Sequence, residues 1–268
     1  MLSTRKFPTS EHPYGVVVYN PLGFADDFPN GTDFDAARFA VSMSGQVAFL
    51  FDLDGTLVDS VYNHVRAWHV ALREQGLDLS VWRIHRKIGM SGGLFTAQLE
   101  RELGRDIDEK SLQDLRERHS ELFRELSKDV PPLPGAIELL KELTHQRLPW
   151  AIATSGRMRT AEMNLKSLEV DPEKSVVITR DMVRYAKPDP DLFVEAARKL
   201  GTSTNGSYVI GDSIWDMYAA LRCGALGIGL LSGGYGKEEL ERAGAMRVFD
   251  DPADILEHLD ELAPRTRE

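Results

Sequence analysis

The chain has 268 residues, 42% hydrophobic and 28% charged, with a formal net charge of −10. That length and mix suit a soluble globular protein able to bury its own core without disulfides or structural metals. The acidity argues against nucleic acid and anionic membranes as partners. The single cysteine, Cys223, excludes an intrachain disulfide, and no apolar run approaches the about 20 residues of a membrane span.

Taken in chain order, residues 1–44 read as an extension, poorly ordered or peripheral. Pro8, Pro13, Pro21 and Pro29 punctuate it, and only Val16 to Tyr19 has strand-like composition. The start has no apolar signal-peptide core, and Asp26, Asp27, Asp33 and Asp35 argue against a transit peptide, so the cytoplasm is the expected compartment. Met43 is the expected natural start, with residues 1–42 as an upstream extension. A genuine N-terminal arm is the alternative.

From Val47 the pattern alternates strand and helix. Val47 to Phe51 is a short continuous apolar run, as expected of a parallel strand covered on both faces. Similar runs lie at Trp150–Ala153, Val176–Ile178, Tyr208–Ile210 and Leu226–Leu231, with Arg247–Phe249 as a weaker edge strand. Helical spacing joins Ile137, Leu140 and Leu143, then Leu192, Phe193, Ala196, Ala197 and Leu200. It also joins Ile214, Met217 and Leu221, with Gly224 as the helix stop. This order predicts an α/β fold, a Rossmann-like parallel sheet with helices on both faces.

One stretch breaks the alternation. Between Asp59 and Pro131 no good strand is found, while Val61, Val65, Trp68 and Leu72, and later Leu112, Leu115, Leu122 and Leu126, follow helical spacing. The expected division is therefore an α/β core of residues 45–60 and 132–268, with residues 61–131 as an inserted helical domain. Trp68, Trp82 and Trp150 read as packing residues. His64, His69, His85 and His119 lack metal-ligand spacing.

The chemistry sits at strand ends. In Phe51-Asp52-Leu53-Asp54-Gly55-Thr56, two carboxylates stand two residues apart just past an apolar strand, where open α/β sheets bind ligands. Gly211-Asp212-Ser213-Ile214-Trp215-Asp216 puts two more at another strand end, and hard oxygen donors without His or Cys suit Mg2+. Taken alone, Asp212 or Ser213 could equally cap a helix. Thr154 and Ser155 offer hydroxyls to phosphoryl oxygens, and Lys187, before Pro188, offers a cation.

These four pieces, in this order, resemble the haloacid dehalogenase-like hydrolase superfamily. The match runs through DxDx[TV] at Asp52 to Thr56, a hydroxyl residue at Thr154, Lys187, and the GDxxxD acids Asp212 and Asp216. The resemblance covers residues 46 to about 260 and makes the helical insert a cap. It implies that Asp52 is the nucleophile that forms an aspartyl-phosphate and Asp54 the general acid and base. It also implies phosphate binding by Thr154, Ser155 and Lys187. Mg2+ would be held by Asp52, Asp54 and Asp212, with Asp216 orienting a metal-bound water.

Within that resemblance, Asp54 argues against dehalogenase, phosphonate hydrolase and P-type ATPase chemistry, none of which carries an acid there. A phosphatase of a small phosphorylated metabolite remains, with a β-phosphoglucomutase-type sugar phosphomutase as the alternative and a catalytically silent binding scaffold as a third. The tail from Gly233 to Pro252 resembles phosphoglycolate phosphatase-like proteins. Gly89 to Gly93 is the expected cap loop over the site, and Arg86 and Lys87 before it are candidate contacts for a second anionic group on the substrate.

Overall fold

The computed structural model describes residues 46–104 and 106–263. The readings of residues 1–44, including the strand-like Val16–Tyr19 and the start at Met43, lie outside the described residues.

Six parallel strands form one sheet: β1 Phe49–Phe51, β2 Trp150–Ala153, β3 Val177–Ile178, β4 Tyr208–Gly211, β5 Leu226–Leu230 and β6 Ala245–Phe249. Their order is β3-β2-β1-β4-β5-β6, so β1 lies centrally, paired with β2 on one side and β4 on the other. The first run is shorter than its apolar stretch, because only Phe49 to Phe51 enter the ladder.

Alternation sends β1 side chains to two cores. Phe49 and Phe51 join Ile152, Ile210 and Leu230 on one face, beneath α5 (Ala136–His145) and α6 (Met158–Ser167). Leu50 joins Ala151, Ala153 and Val209 on the other, beneath α7 (Asp191–Leu200) and α8 (Ile214–Arg222). Both faces are thus covered, which is why the strands read as continuous apolar runs. β6 is the edge, and Met246 and Arg247 on it are exposed.

The insert after β1 is four helices, α1 Val61–Glu74, α2 Val81–His85, α3 Gly92–Leu103 and α4 Glu109–Leu126. Val61, Val65, Trp68 and Leu72 of α1 pack with Ile84, Phe95, Leu99 and Leu115 in a core of their own. Asp108 caps α4 by accepting from Ser111 N, and Ser91 caps α3 by accepting from Leu94 N. Trp82 departs from the packing role expected of it. It is 62% exposed, with the Arg83 guanidinium over its ring. After β5 come α9 Lys237–Arg242 and, beyond β6, α10 Pro252–Glu257 and α11 Leu259–Leu262.

Chain order reverses across β1: β2 and β3 lie to one side, β4 to β6 to the other. The carboxyl ends of β1 and β4 therefore flank the switch-point crevice of the sheet. Asp52 leaves β1 there, and Asp212 follows Gly211 at the end of β4. No helix among the described residues is long and apolar enough to cross a membrane.

Candidate active site

The turn after β1 is tight. Gly55 takes φ +86°, and a Cβ there would stand 2.7 Å from Asp212 Oδ2, so only glycine lets the first acidic loop lie against the second. Thr56 Oγ1 donates to Asp212 Oδ1 at 3.1 Å, tying the two loops together.

Asp52, Asp212 and Asp216 are buried, and each places a carboxylate oxygen within 4.8 Å of the others. Lys187, fully buried, pairs with Asp52 Oδ1 and lies 2.8 Å from Asp216 Oδ1. Asp216 Oδ2 accepts from the Ser213 hydroxyl at 2.5 Å and from Ser213 N at 3.2 Å, which closes the N-terminus of α8. Helix capping and site chemistry are therefore the same side chain here, and the cap belongs to Ser213 with Asp216 rather than to Asp212.

Burial pushes the Asp52 carboxyl up to about 7; Lys187 opposes that shift, and the charges of Asp216 and Asp54 add to it. Asp212 is driven well above the usual carboxylate value by burial, then by Asp216 and Asp52. Burial works against the Lys187 ammonium, yet Asp216 and Asp52 outweigh it and hold the lysine charged. Three acids against the one ammonium that touches them leave a surplus of buried negative charge. An all-oxygen set with that surplus fits a divalent cation of the hard kind. Both Asp216 oxygens are engaged by Ser213 and Lys187, so Asp52 and Asp212 are the carboxylates better placed to hold it.

Asp54 faces the same cavity under different control. Its Oδ1 accepts from Ser60 Oγ at 2.6 Å and Asn164 Nδ2 at 2.8 Å, and His64 Nε2 stands 3.5 Å away. Burial would raise its pKa, but His64 and the Ser60 hydrogen bond prevail and hold the carboxyl below its usual value. The other nitrogen of His64, Nδ1, meets His119 Nε2 at 3.1 Å, and both rings stack among Trp68 and Phe123. Burial, then the neighbouring His64, holds His119 well below the usual imidazole value.

A cavity of about 910 Å³ opens over these residues between sheet and insert, lined by Asp52, Asp54, His64, Lys87, Gly89 and Thr154 among others. Thr154 Oγ1 accepts from Gly156 N at 2.9 Å, which leaves its own proton to donate. Ser155 is different. Its hydroxyl donates to Gly89 O at 3.0 Å, joining core to insert, so its single proton is already committed. The Gly89 loop does sit at the site. Gly89 has φ +94°, and a Cβ there would lie 2.6 Å from Ser213 Oγ.

Lys87 and Arg86, adjacent in sequence, part company. Lys87 lines the cavity and pairs with Glu102 Oε1 at 2.5 Å. Arg86 turns away, pairs with Glu239 and lies 4.6 Å over the Tyr235 ring. It does not line the cavity, because the turn after α2 presents these neighbours in different directions. Sequence reasoning missed Ser60, His64, His119 and Asn164. Asn164 carried a signal: it is an amide beside Ala161 and Leu165 on the core-facing side of α6.

A switch-point cleft holding a buried acid–lysine cluster and a second, separately controlled acid defines an α/β enzyme of phosphoryl chemistry. The haloacid dehalogenase-like hydrolase family model matches residues 49–229. A hydrolase structure from Pseudomonas syringae superposes with TM-score 0.80 at 54% identity, covering 82% of this chain and all (100%) of that one. Hexitol phosphatase A of Escherichia coli (strain K12) is 33% identical over 178 residues, 66% of this chain and 79% of the relative. A phosphoglycolate phosphatase of Rhodospirillum rubrum is 30% identical over 220 residues, 78% and 88% of the two chains. The chain belongs to the haloacid dehalogenase-like hydrolases, as a phosphatase acting on phosphate monoesters.

Proposed function

We propose that the protein is a Mg2+-dependent phosphatase of a small phosphorylated metabolite, working through an aspartyl-phosphate on Asp52. The observation that carries this is the pairing of Asp52 with Lys187 beside an Asp54 held apart on Ser60, Asn164 and His64. The two acids have different partners and hence different tasks.

In the first step an Asp52 oxygen bonds to phosphorus as the phosphorus–ester oxygen bond breaks, and Asp54 gives its proton to the leaving alkoxide. Ser60, Asn164 and His64 favour the Asp54 carboxylate; the negative phosphoryl group arriving beside it favours the protonated form this step needs. In the second step Asp54, now a carboxylate, takes a proton from water as that oxygen bonds to phosphorus. The Asp52–phosphorus bond breaks and inorganic phosphate leaves. Thr154 donates its free hydroxyl proton to a phosphoryl oxygen, and Lys187 balances charge on Asp52 and the phosphoryl group. Asp52 and Asp212, with the Asp54 carbonyl, would hold Mg2+, which neutralises phosphoryl charge when bound. Asp216 fixes Lys187 and the start of α8.

The phosphatase reading is preferred to the phosphomutase alternative on the names of the relatives at 30% identity or more, among them phosphatases of a hexitol phosphate and of phosphoglycolate. Phosphate release should be screened over phosphorylated metabolites with and without Mg2+, using Asp52→Asn as control. Retained turnover in Asp52→Asn would remove the nucleophile assignment. Transfer of the phosphoryl group to a second sugar position with little phosphate release would favour the mutase.

A further inference from the structure

Beside its acids the cavity carries a cluster of cations, in a chain whose net charge is −10. Lys87, Arg116, Arg157, Arg159 and Arg180 all line it. Lys87 and Arg116 come from the insert, Arg157, Arg159 and Arg180 from the core, so the basic groups face the cavity from both walls. Besides Asp52 and Asp54, two acids line the cavity, Glu117 and Asp181, and both are engaged, Asp181 Oδ1 lying 3.7 Å from Arg157 Nε. Glu117 accepts from Gln113 Nε2 at 2.9 Å, and Asp181 Oδ2 accepts from Met158 N at 3.1 Å, at the start of α6.

None of these cations is needed for the reacting phosphoryl group, which already has Lys187 beside Asp52. Lys87 is the most telling. Its side chain is only 6% exposed, and burying an ammonium is costly unless something charged requires it. Glu102 holds it, and Arg83 Nη1 lies 3.6 Å from the other oxygen of Glu102, so that carboxylate is shared. Arg116 is likewise braced, its Nη2 on Glu109 Oε1 at 2.6 Å and its Nη1 on Thr96 Oγ1 at 3.3 Å. Cations fixed from behind and facing a cleft are suited to receive an anion.

We propose that the substrate carries a second acid group, a carboxylate or another phosphate, received by Lys87 and Arg116 of the insert while the scissile phosphate sits at Asp52. A cavity of about 910 Å³ that holds both Asp52 and these cations has room for a sugar-sized molecule. This rests on the phosphatase reading and deepens it: the insert selects by charge. Lys87 and Arg116 are positioning residues, since neither touches the reacting atoms.

The test uses the full chain with Mg2+ and two matched pairs of esters. One pair is sorbitol 6-phosphate and its carboxylate counterpart 6-phosphogluconate. The other is fructose 1-phosphate and fructose 1,6-bisphosphate. The acid-bearing member should have a kcat/KM at least about tenfold higher, the scale of one charge-assisted hydrogen bond. Preference in the first pair only assigns a carboxylate, in the second only a phosphate, and in both a general anion site. Lys87→Met should bring the ratio within the preferred pair toward one, chiefly through KM. Arg116 is more exposed, so Arg116→Gln decides the matter should Lys87→Met not fold. Parity in both pairs, or loss in equal proportion for both members, would overturn the proposal while leaving a phosphatase. No phosphate release from either pair or from para-nitrophenyl phosphate would instead overturn the phosphatase reading beneath it.

Discussion

His64 Nε2 stands 3.5 Å from Asp54 Oδ1, the oxygen that also accepts from Ser60 and Asn164. The histidine comes from the first turn of α1 in the insert and the aspartate from the turn after β1, so the orientation of the acid depends on where the insert sits. His64→Asn should therefore lower kcat by about tenfold to a hundredfold, the range in which a misplaced group costs rate. The loss should be large for alkyl phosphates, whose leaving oxygen needs a proton, and small for para-nitrophenyl phosphate, which needs none. Equal losses on both would show that His64 serves packing alone.

Removing Lys187 should be worse for the fold than for any surface ion pair. It touches Asp52 and Asp216 with no solvent exposure. Breaking a buried pair leaves its partner charge uncompensated, at a cost of about 3–5 kcal/mol. Lys187→Met should show that loss in urea unfolding with chelator present.

Asp212 should behave in the opposite sense. Burial and the nearby Asp216 and Asp52 disfavour its charge in the folded state. Asp212→Asn should therefore unfold at higher urea than the parent protein when chelator is present. With Mg2+ at about a hundred times its Kd the parent should gain about 2.7 kcal/mol, and Asp212→Asn should gain little. A parent protein indifferent to Mg2+ would remove the cation from this site.

The fold was largely legible because parallel strands covered on both faces leave unbroken apolar runs, as at Trp150–Ala153 and Tyr208–Gly211. Asp52, Asp54, Asp212 and Asp216 were legible as candidates because acids that follow strand ends are brought to one crevice, and Lys187 as the cation of the loop between β3 and α7. What stayed hidden depends on the insert meeting the core. Nothing local distinguishes Ser155, whose hydroxyl bonds Gly89 O across the cleft, from a phosphate ligand. His64 carried no metal-ligand spacing to mark it, and its role exists only once Asp54 lies opposite.

His119 gives a pH prediction with a definite sign. Burial, then His64, depresses its folded-state pKa below the usual 6.5. Between the folded and unfolded values the unfolded chain binds more protons, so stability rises with pH there. The His119 contribution is fully present above pH 6.5 and is lost as pH falls through the folded value. The raised Asp52 and Asp212 carboxyls act in the opposite sense over the same range, so the His119 share is read by difference: in urea unfolding from pH 7.5 down to about 5, the stability of the parent protein relative to His119→Phe should fall. An unchanged difference would mean that another group carries the acid sensitivity.

Arg86 tests the attachment of insert to core. Its guanidinium pairs with Glu239, and its carbonyl oxygen accepts from Tyr235 Oη at 3.0 Å and Trp215 Nε1 at 3.2 Å. His85 Nε2, beside it, lies 2.8 Å from Gly233 O. The Arg86 and Glu239 side chains are 38% and 41% exposed, so solvent screens the pair and a double-mutant cycle on stability should give a coupling of at most about 1 kcal/mol. The kinetic effect should be broader. Loosening this contact lets the insert stand away from the sheet, which weakens every substrate group the insert touches. Arg86→Ala and Glu239→Gln should each raise KM for acid-bearing and neutral esters alike, whereas Lys87→Met should act on the acid-bearing ester. A selective effect of Arg86→Ala on the acid-bearing ester would return Arg86 to the substrate rather than to the contact between insert and core.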